Sequence, residues 1–289
     1  MVYAQPQISV QDDSAPGLAR RAMRGLGLDP DGAEWVPLRG GRVNRLWRVG
    51  ERVVKLYHPA GATPLFPNDP AAEVAALTAL QGRGIAPRLV AAAPDATPPC
   101  LVYRHLDGPS AAVTPWDAGA LLARLHAEPP PDGLRRLPGG SDFLRQGDAM
   151  LPDLPDSQAR RLRALRPSAP PLPPQKGVFL HGDPVPANIV STAKGPRLID
   201  WQCPAIGDPA EDLAIFLSPA MQAIYGQGPL SPAQEAAFLD AYGHPDRRDA
   251  LAAAAPARHW RMAVYCLWKA ARGDTAYASA ADLELQRLE

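Results

Sequence analysis

Cysteine is scarce in this chain. Cys100, Cys203 and Cys266 are the only 3 in 289 residues, and no two of them form a C-x-x-C. A sparse, odd count fits a reducing cytoplasm better than a disulfide framework. Net charge is also missing: 30 basic side chains face 30 acidic ones. No excess of either sign calls for a nucleic acid or a membrane surface as partner. No apolar run approaches the length of a membrane span. The opening residues, MVYAQPQISVQDD, lack a basic n-region and an apolar h-region, so no signal peptide is expected. There is no internal repeat. There is no G-N-H-[DE] element, which a metallophosphatase would need.

What is present is enough for a sizeable core. Hydrophobic residues make up 46% of the chain, and its length suits one large domain or two small ones. The 35 prolines are scattered among periodic apolar segments. Only 167–174 (PSAPPLPP) is rich enough in proline to act as a stiff or disordered connector.

The most informative stretch runs from Val178 to Ala214. Two short apolar runs, Val178–Leu180 and Leu198–Ile199, end in polar clusters and read as buried strands entering loops. Each carries a carboxylate to its end, Asp183 and Asp200. Asn188 follows Asp183 by five residues. Two carboxylates and an amide converging at strand ends can hold a hard divalent cation and leave one carboxylate to take a proton.

The motifs are His181-Gly182-Asp183-Pro184-Val185-Pro186-Ala187-Asn188, then Ile199-Asp200-Trp201, then Gly207–Ala214 (GDPAEDLA). Their type, order and spacing resemble those of the aminoglycoside phosphotransferase and choline kinase family. The resemblance implies an α+β, protein-kinase-like bilobal fold. A small antiparallel-sheet N-lobe would span 1–106, and a larger, mainly helical C-lobe 107–289. It also implies ATP as phosphoryl donor, GTP being open, with Mg²⁺ held by Asn188 and Asp200 and a substrate proton taken by Asp183. Asp212 would brace the loop. His181 is expected to pack and hydrogen-bond the loop.

The N-terminal half supplies the other expected parts. Glu34–Leu38, Arg45–Val49 and Arg52–Tyr57 read as strands. Gly40-Gly41-x-x-Asn44, between the first two, resembles the family's nucleotide loop, although two glycines between strands also describe a plain hairpin. Lys55 alternates with apolar residues on the third strand, so it points to solvent or into a cleft. The resemblance makes it the lysine that grips the α/β-phosphates, paired with Glu73. Asp69 and Pro70 fit the N-cap and first position of Glu73's helix, with Val74, Leu77 and Leu80 facing inward. Val102–Gly108 is the expected hinge.

Beyond the motifs the chain reads as helical. Asp208-Pro209-Ala210-Glu211 has the pattern of a capping box. Pro129 to Lys176 shows little regular pattern apart from Ser157–Leu165. Trp260, Val264 and Trp268 share a helix face, either as an aromatic site for a quaternary ammonium or, more simply, as core. No acidic cluster suited to a polycation stands out. The expected acceptor is therefore an amino alcohol, a thiamine-like molecule or an amino sugar rather than an aminoglycoside antibiotic. A protein kinase would need an A-P-E after Asp200, which is missing. A non-catalytic nucleotide-binding module usually lacks the lysine, the base or the metal aspartate, and all three are present.

Overall fold

The computed structural model describes residues 14–29, 32–38, 43–58, 60–140, 142–168 and 177–288. Gly40, Gly41, the first thirteen residues and most of the Pro-rich stretch lie outside the described residues.

Helix α1 (Ser14–Gly25) lies on a five-stranded antiparallel sheet. Its strands are β1 (Trp35–Pro37), β2 (Arg45–Val49), β3 (Arg52–Leu56), β4 (Leu89–Ala93) and β5 (Cys100–Arg104), in spatial order β1-β2-β3-β5-β4. The two-residue turn Gly50-Glu51 sets the β2–β3 register, with Val49 opposite Arg52. Ala19 and Met23 of α1 pack with Trp47, Val54, Leu56 and Val102 on one face of the sheet. The other face carries Val53, Leu101 and Tyr103 and meets α2 (Pro70–Ala79). On α2 the buried side chains are Glu73, Ala76 and Leu77, with Leu80 at the cap. Val74 is only partly buried, so the inward stripe is rotated toward Glu73 relative to the expected one.

The rest of the molecule is mainly helical. Helix α3 (Pro115–His126) buries Leu121, Leu122 and Leu125 and packs along α8 (Pro232–Tyr242). The region expected to be irregular holds β6 (Arg135–Leu137) and α4 (Asp142–Met150), and the helix expected at Ser157–Leu165 is α5 (Asp156–Ala164). Gly147 hides α4 in the sequence, since glycine disfavours a helix interior. Its reason is packing: a Cβ there would come within 2.3 Å of the Trp260 ring. Strands β7 (Val178–Leu180) and β10 (Ala205–Gly207) join β6 in a small sheet, and β8 (Ile189–Thr192) pairs with β9 (Gly195–Leu198). Helices α6 (Ala210–Leu217), α7 (Pro219–Tyr225), α9 (Pro245–Ala253), α10 (Ala255–Ala270) and α11 (Ala276–Leu285) complete the chain. The break between α9 and α10 falls at Ala254, two residues before Pro256, where proline cannot donate a helical hydrogen bond. Among the described residues no helix is long and apolar enough to cross a membrane.

Among the hydrogen bonds that tie the sheet portion to the helical part, two flank the Asp200 segment. Asp69 N–H donates to the Gln202 carbonyl at 3.1 Å, and Cys203 Sγ donates to the Pro67 carbonyl at 3.0 Å. The chain just after Asp200 is therefore fastened directly to the segment that leads into α2.

Candidate active site

Strand period puts Lys55 in the site. Val54 and Leu56 point under α1, so Lys55 and Tyr57 point the other way, toward α2. The Asp69 carboxylate caps α2 by accepting from Ala72 N–H at 3.0 Å, with Pro70 at the first helical position. That start fixes Glu73 in the first turn, facing inward. Lys55 is fully buried, and its Nζ donates to Glu73 Oε2 at 2.5 Å and to Asp200 Oδ1 at 2.6 Å. The Tyr57 hydroxyl donates to the same Glu73 oxygen. Burial works against the ammonium charge, but Asp200 and Glu73 outweigh it and hold Lys55 above the ordinary lysine range.

The 181–188 loop is held from below. Asp212, fully buried on α6, accepts from His181 N–H and Gly182 N–H, both at 2.8 Å. His126 Nε2 lies 3.2 Å from Asp212 Oδ2, the oxygen that also accepts from His181 N–H, and Nδ1 lies 2.9 Å from the Tyr242 hydroxyl, so the lone histidine of α3 is part of the brace. Gly182 has φ +83°, and a Cβ would come within 2.0 Å of the Cys203 carbonyl. Only glycine fits that turn without moving backbone. His181 Nε2 donates to the Ile199 carbonyl at 3.0 Å, and its Nδ1 accepts from Asp183 N–H at 3.3 Å. Both ring nitrogens serve the loop, and burial pushes the ring's pKa down. Trp201 stacks edge-on against His181 and is fully buried.

Asn188 closes the loop by donating Nδ2 to the Asp183 carbonyl at 2.9 Å. The Asn188 carbonyl in turn accepts from Ile199 N–H at 2.9 Å, and this links the loop to the Asp200 segment. Asp200 takes φ +61°, a left-handed backbone that aspartate tolerates better than most side chains. Asp183 is pushed up to about 8, first by burial and then by the charges of Asp200 and Asp212.

Asp183, Asn188 and Asp200 open onto one cleft. Lys55 lies behind Asp200. Asn44 is close by, but its amide is engaged: Nδ2 donates to Gln202 Oε1 at 2.8 Å and Oδ1 accepts from His58 N–H at 3.0 Å. Asp208 lies just before α6, and its carboxylate accepts from Ala210 N–H at 2.8 Å. Glu211 is no partner in a capping box. Its Oε2 accepts from Arg261 Nη1 at 2.6 Å, deep in the helical part, because α10 brings a cation closer than the helix start.

The tryptophan stripe of α10 is core. Trp260 is fully buried and donates to the Leu162 carbonyl at 2.8 Å, and Trp268 donates to Asp153 Oδ2 at 3.0 Å. The cleft is lined instead by Tyr225, Tyr265, Lys269 and Tyr277, which the sequence reading missed. Tyr265 and Lys269 form the stripe beside the tryptophans on α10. Only the i, i+4 spacing could have flagged them. Replacing Trp260 by alanine should cost about 3–5 kcal/mol of stability, as for other buried aromatic truncations. Thermal denaturation checks this, and the KM for any acceptor should not change.

The fold is that of the protein-kinase-like phosphotransferases, and the chain belongs to the phosphotransferase enzyme family, APH, which matches residues 34–255. Among solved structures, a choline/ethanolamine kinase family protein from Mesorhizobium loti has 19% identity and a TM-score of 0.61, covering 93% of this chain and 92% of its own. Choline kinase LicA from Streptococcus pneumoniae has 16% identity and a TM-score of 0.63, covering 95% and 98%. A spectinomycin phosphotransferase in complex with ADP and spectinomycin has 13% identity and a TM-score of 0.58, covering 94% and 93%. Comparison with curated proteins gives no match.

Proposed function

We propose that this enzyme moves the γ-phosphoryl group of ATP to a hydroxyl of a small molecule, in a cleft between an N-lobe (1–106) and a C-lobe (107–289). One observation carries the reading. Lys55 and Asp200, 145 residues apart, meet at 2.6 Å beside the cleft that Asp183 and Asn188 line. Phosphoryl transfer asks for this combination of positioned charge and one proton acceptor, and little else from the protein.

Asp183 accepts the hydroxyl proton as the new bond forms. Lys55, fixed by Glu73, neutralises the α/β-phosphates. Asp212 keeps Asp183 in place through the backbone of the loop. Among the described residues no group of three or more His, Cys, Asp or Glu side chains is arranged to cage a metal. Mg²⁺ does not require such a cage, because one or two protein oxygens, nucleotide phosphates and water complete its shell. Asn188 spends its Nδ2 on the loop and Asp200 spends Oδ1 on Lys55, which leaves an amide oxygen and a carboxylate oxygen as hard donors. These fit Mg²⁺. When bound, the ion would offset phosphate charge and favour ionised carboxylates around it.

The test is release of ADP from Mg-ATP against a panel of hydroxylated small molecules, with the phosphorylated product identified. Absence of acceptor-dependent ADP from every member would overturn the reading. Replacing Asp200 by alanine should weaken nucleotide binding in Mg²⁺ at least about tenfold, the worth of one charged hydrogen bond. The same substitution should change little in EDTA. Calorimetry in the two buffers reads the difference, and equal affinity in Mg²⁺ for wild type and variant would remove Asp200 from the metal site.

A further inference from the structure

The cleft beyond Asp183 has a charge pattern of its own. Among its described lining residues the only cation is Lys269, and the only carboxylates are Asp183 and Asp200. Both carboxylates are committed to the transfer chemistry on the reading above. Apart from the amides of Asn188 and Gln202, the remaining polar side chains of the wall are hydroxyls. Tyr225 and Tyr277 bring theirs within 2.6 Å of each other, and the Tyr265 hydroxyl lies 3.5 Å from Thr63 Oγ1. Lys269 Nζ lies 5.4 Å from the centre of the Tyr277 ring, so that aromatic face already meets a cation.

Resting on that reading, we propose that the acceptor is an anionic alcohol, a hydroxy acid or a phosphorylated alcohol, whose negative group is held by Lys269 while its hydroxyl faces Asp183. The acceptor oxygen forms the new P–O bond as the γ-phosphorus loses its bond to the β,γ-bridging oxygen. The electron pair leaves with ADP and the hydroxyl proton goes to Asp183.

Lys269 is available for this. Its contact with Asp274 is 3.6 Å long, with the two side chains 18% and 27% exposed. That is too long for a hydrogen bond, and an ammonium has three donors to direct at a second anion. An acceptor carboxylate or phosphate can compete with it. A cationic acceptor would meet repulsion from Lys269, and among the described residues lining the cleft no carboxylate besides Asp183 and Asp200 offsets it, which selects against it as well as for the anion. The amino alcohols and amino sugars expected from the sequence therefore fit this wall less well than an acid does.

Glycerate, glycerol and 2-amino-1,3-propanediol share a three-carbon alcohol skeleton and differ in charge. Each would be offered with Mg-ATP to wild type, Lys269→Arg, Lys269→Met and Lys269→Glu, with kcat/KM read from ADP release and product mass. Wild type and Lys269→Arg should favour glycerate over the aminodiol by about tenfold or more, the ratio that about 1.4 kcal/mol produces. Lys269→Met should lose the preference and Lys269→Glu should reverse it. The KM for Mg-ATP should hold throughout. Preference of the wild type for the aminodiol, an unchanged ratio in Lys269→Glu, or a shift confined to the KM for Mg-ATP would each overturn the proposal. If no alcohol is phosphorylated and ATP is not hydrolysed, the kinase reading itself falls, and this proposal falls with it.

Discussion

Replacing Asp183 by asparagine should give a protein that melts at a higher temperature than the wild type and turns over about 10²–10⁴-fold more slowly, the usual contribution of a positioned base. Both effects have one cause. Burial and the neighbouring charges of Asp200 and Asp212 lift the Asp183 carboxyl to about 8 in the folded protein. In the unfolded chain an aspartate titrates near ~3.9. Between those values the folded state holds a proton that the unfolded state releases, so stability falls as pH rises through this window. Asparagine carries no such charge. The melting-temperature advantage of Asp183→Asn should thus be small near pH 4, grow toward pH 8 and level off above it. Calorimetric scans across that range, with steady-state rates on the same samples, check both effects. Near-normal turnover would take the base role away from Asp183. A variant less stable at every pH would show that the carboxylate is not strained.

The candidate constellation was legible in the sequence because it is local. His181, Asp183 and Asn188 lie within eight residues, and Asp200 follows at the end of the next hairpin, β8–β9. Short loops at strand ends leave few ways to arrange them. Strand period alone narrowed Lys55 to two directions, and an i, i+3 cap fixed Glu73. The tyrosine wall of the cleft is the opposite case. Tyr225, Tyr265 and Tyr277 come from α7, α10 and α11, three helices whose packing no local pattern specifies. The tryptophans drew attention because of their size, yet size is what puts a side chain in a core. Glu211 misled for a similar reason. Its position in a capping pattern is satisfied on paper, but a buried carboxylate goes to the nearest cation, and that cation, Arg261, is fifty residues away. Asn44 lies where a phosphate loop was expected, while its amide joins the sheet to Gln202.

Lys55 is the second place where stability and chemistry can be pulled apart. Its ammonium joins Glu73, whose side chain is 1% exposed, to Asp200, whose side chain is 26% exposed. Lys55→Met should cost about 3–5 kcal/mol, because it leaves the Glu73 carboxylate buried without a counter-charge. At about 2–4 °C per kcal/mol, the melting temperature should drop by on the order of 10 °C. Adding Glu73→Gln should recover most of this loss, since a neutral amide can still accept from the Tyr57 hydroxyl and needs no cation. Glu73→Gln alone, in the presence of Lys55, should be less stable than wild type, so the two changes couple and do not add. Turnover should behave differently. Both Lys55→Met proteins should remain about 10²–10³-fold slow, the loss seen when one preorganised donor to a developing charge is removed. Melting curves and rates on the four proteins of this cycle separate the two roles. If the double variant regains turnover along with stability, Lys55 is a strut between sheet and loop and nothing more. If it regains stability alone, the ammonium is needed where the phosphates lie, and the buried Glu73 serves to keep it there.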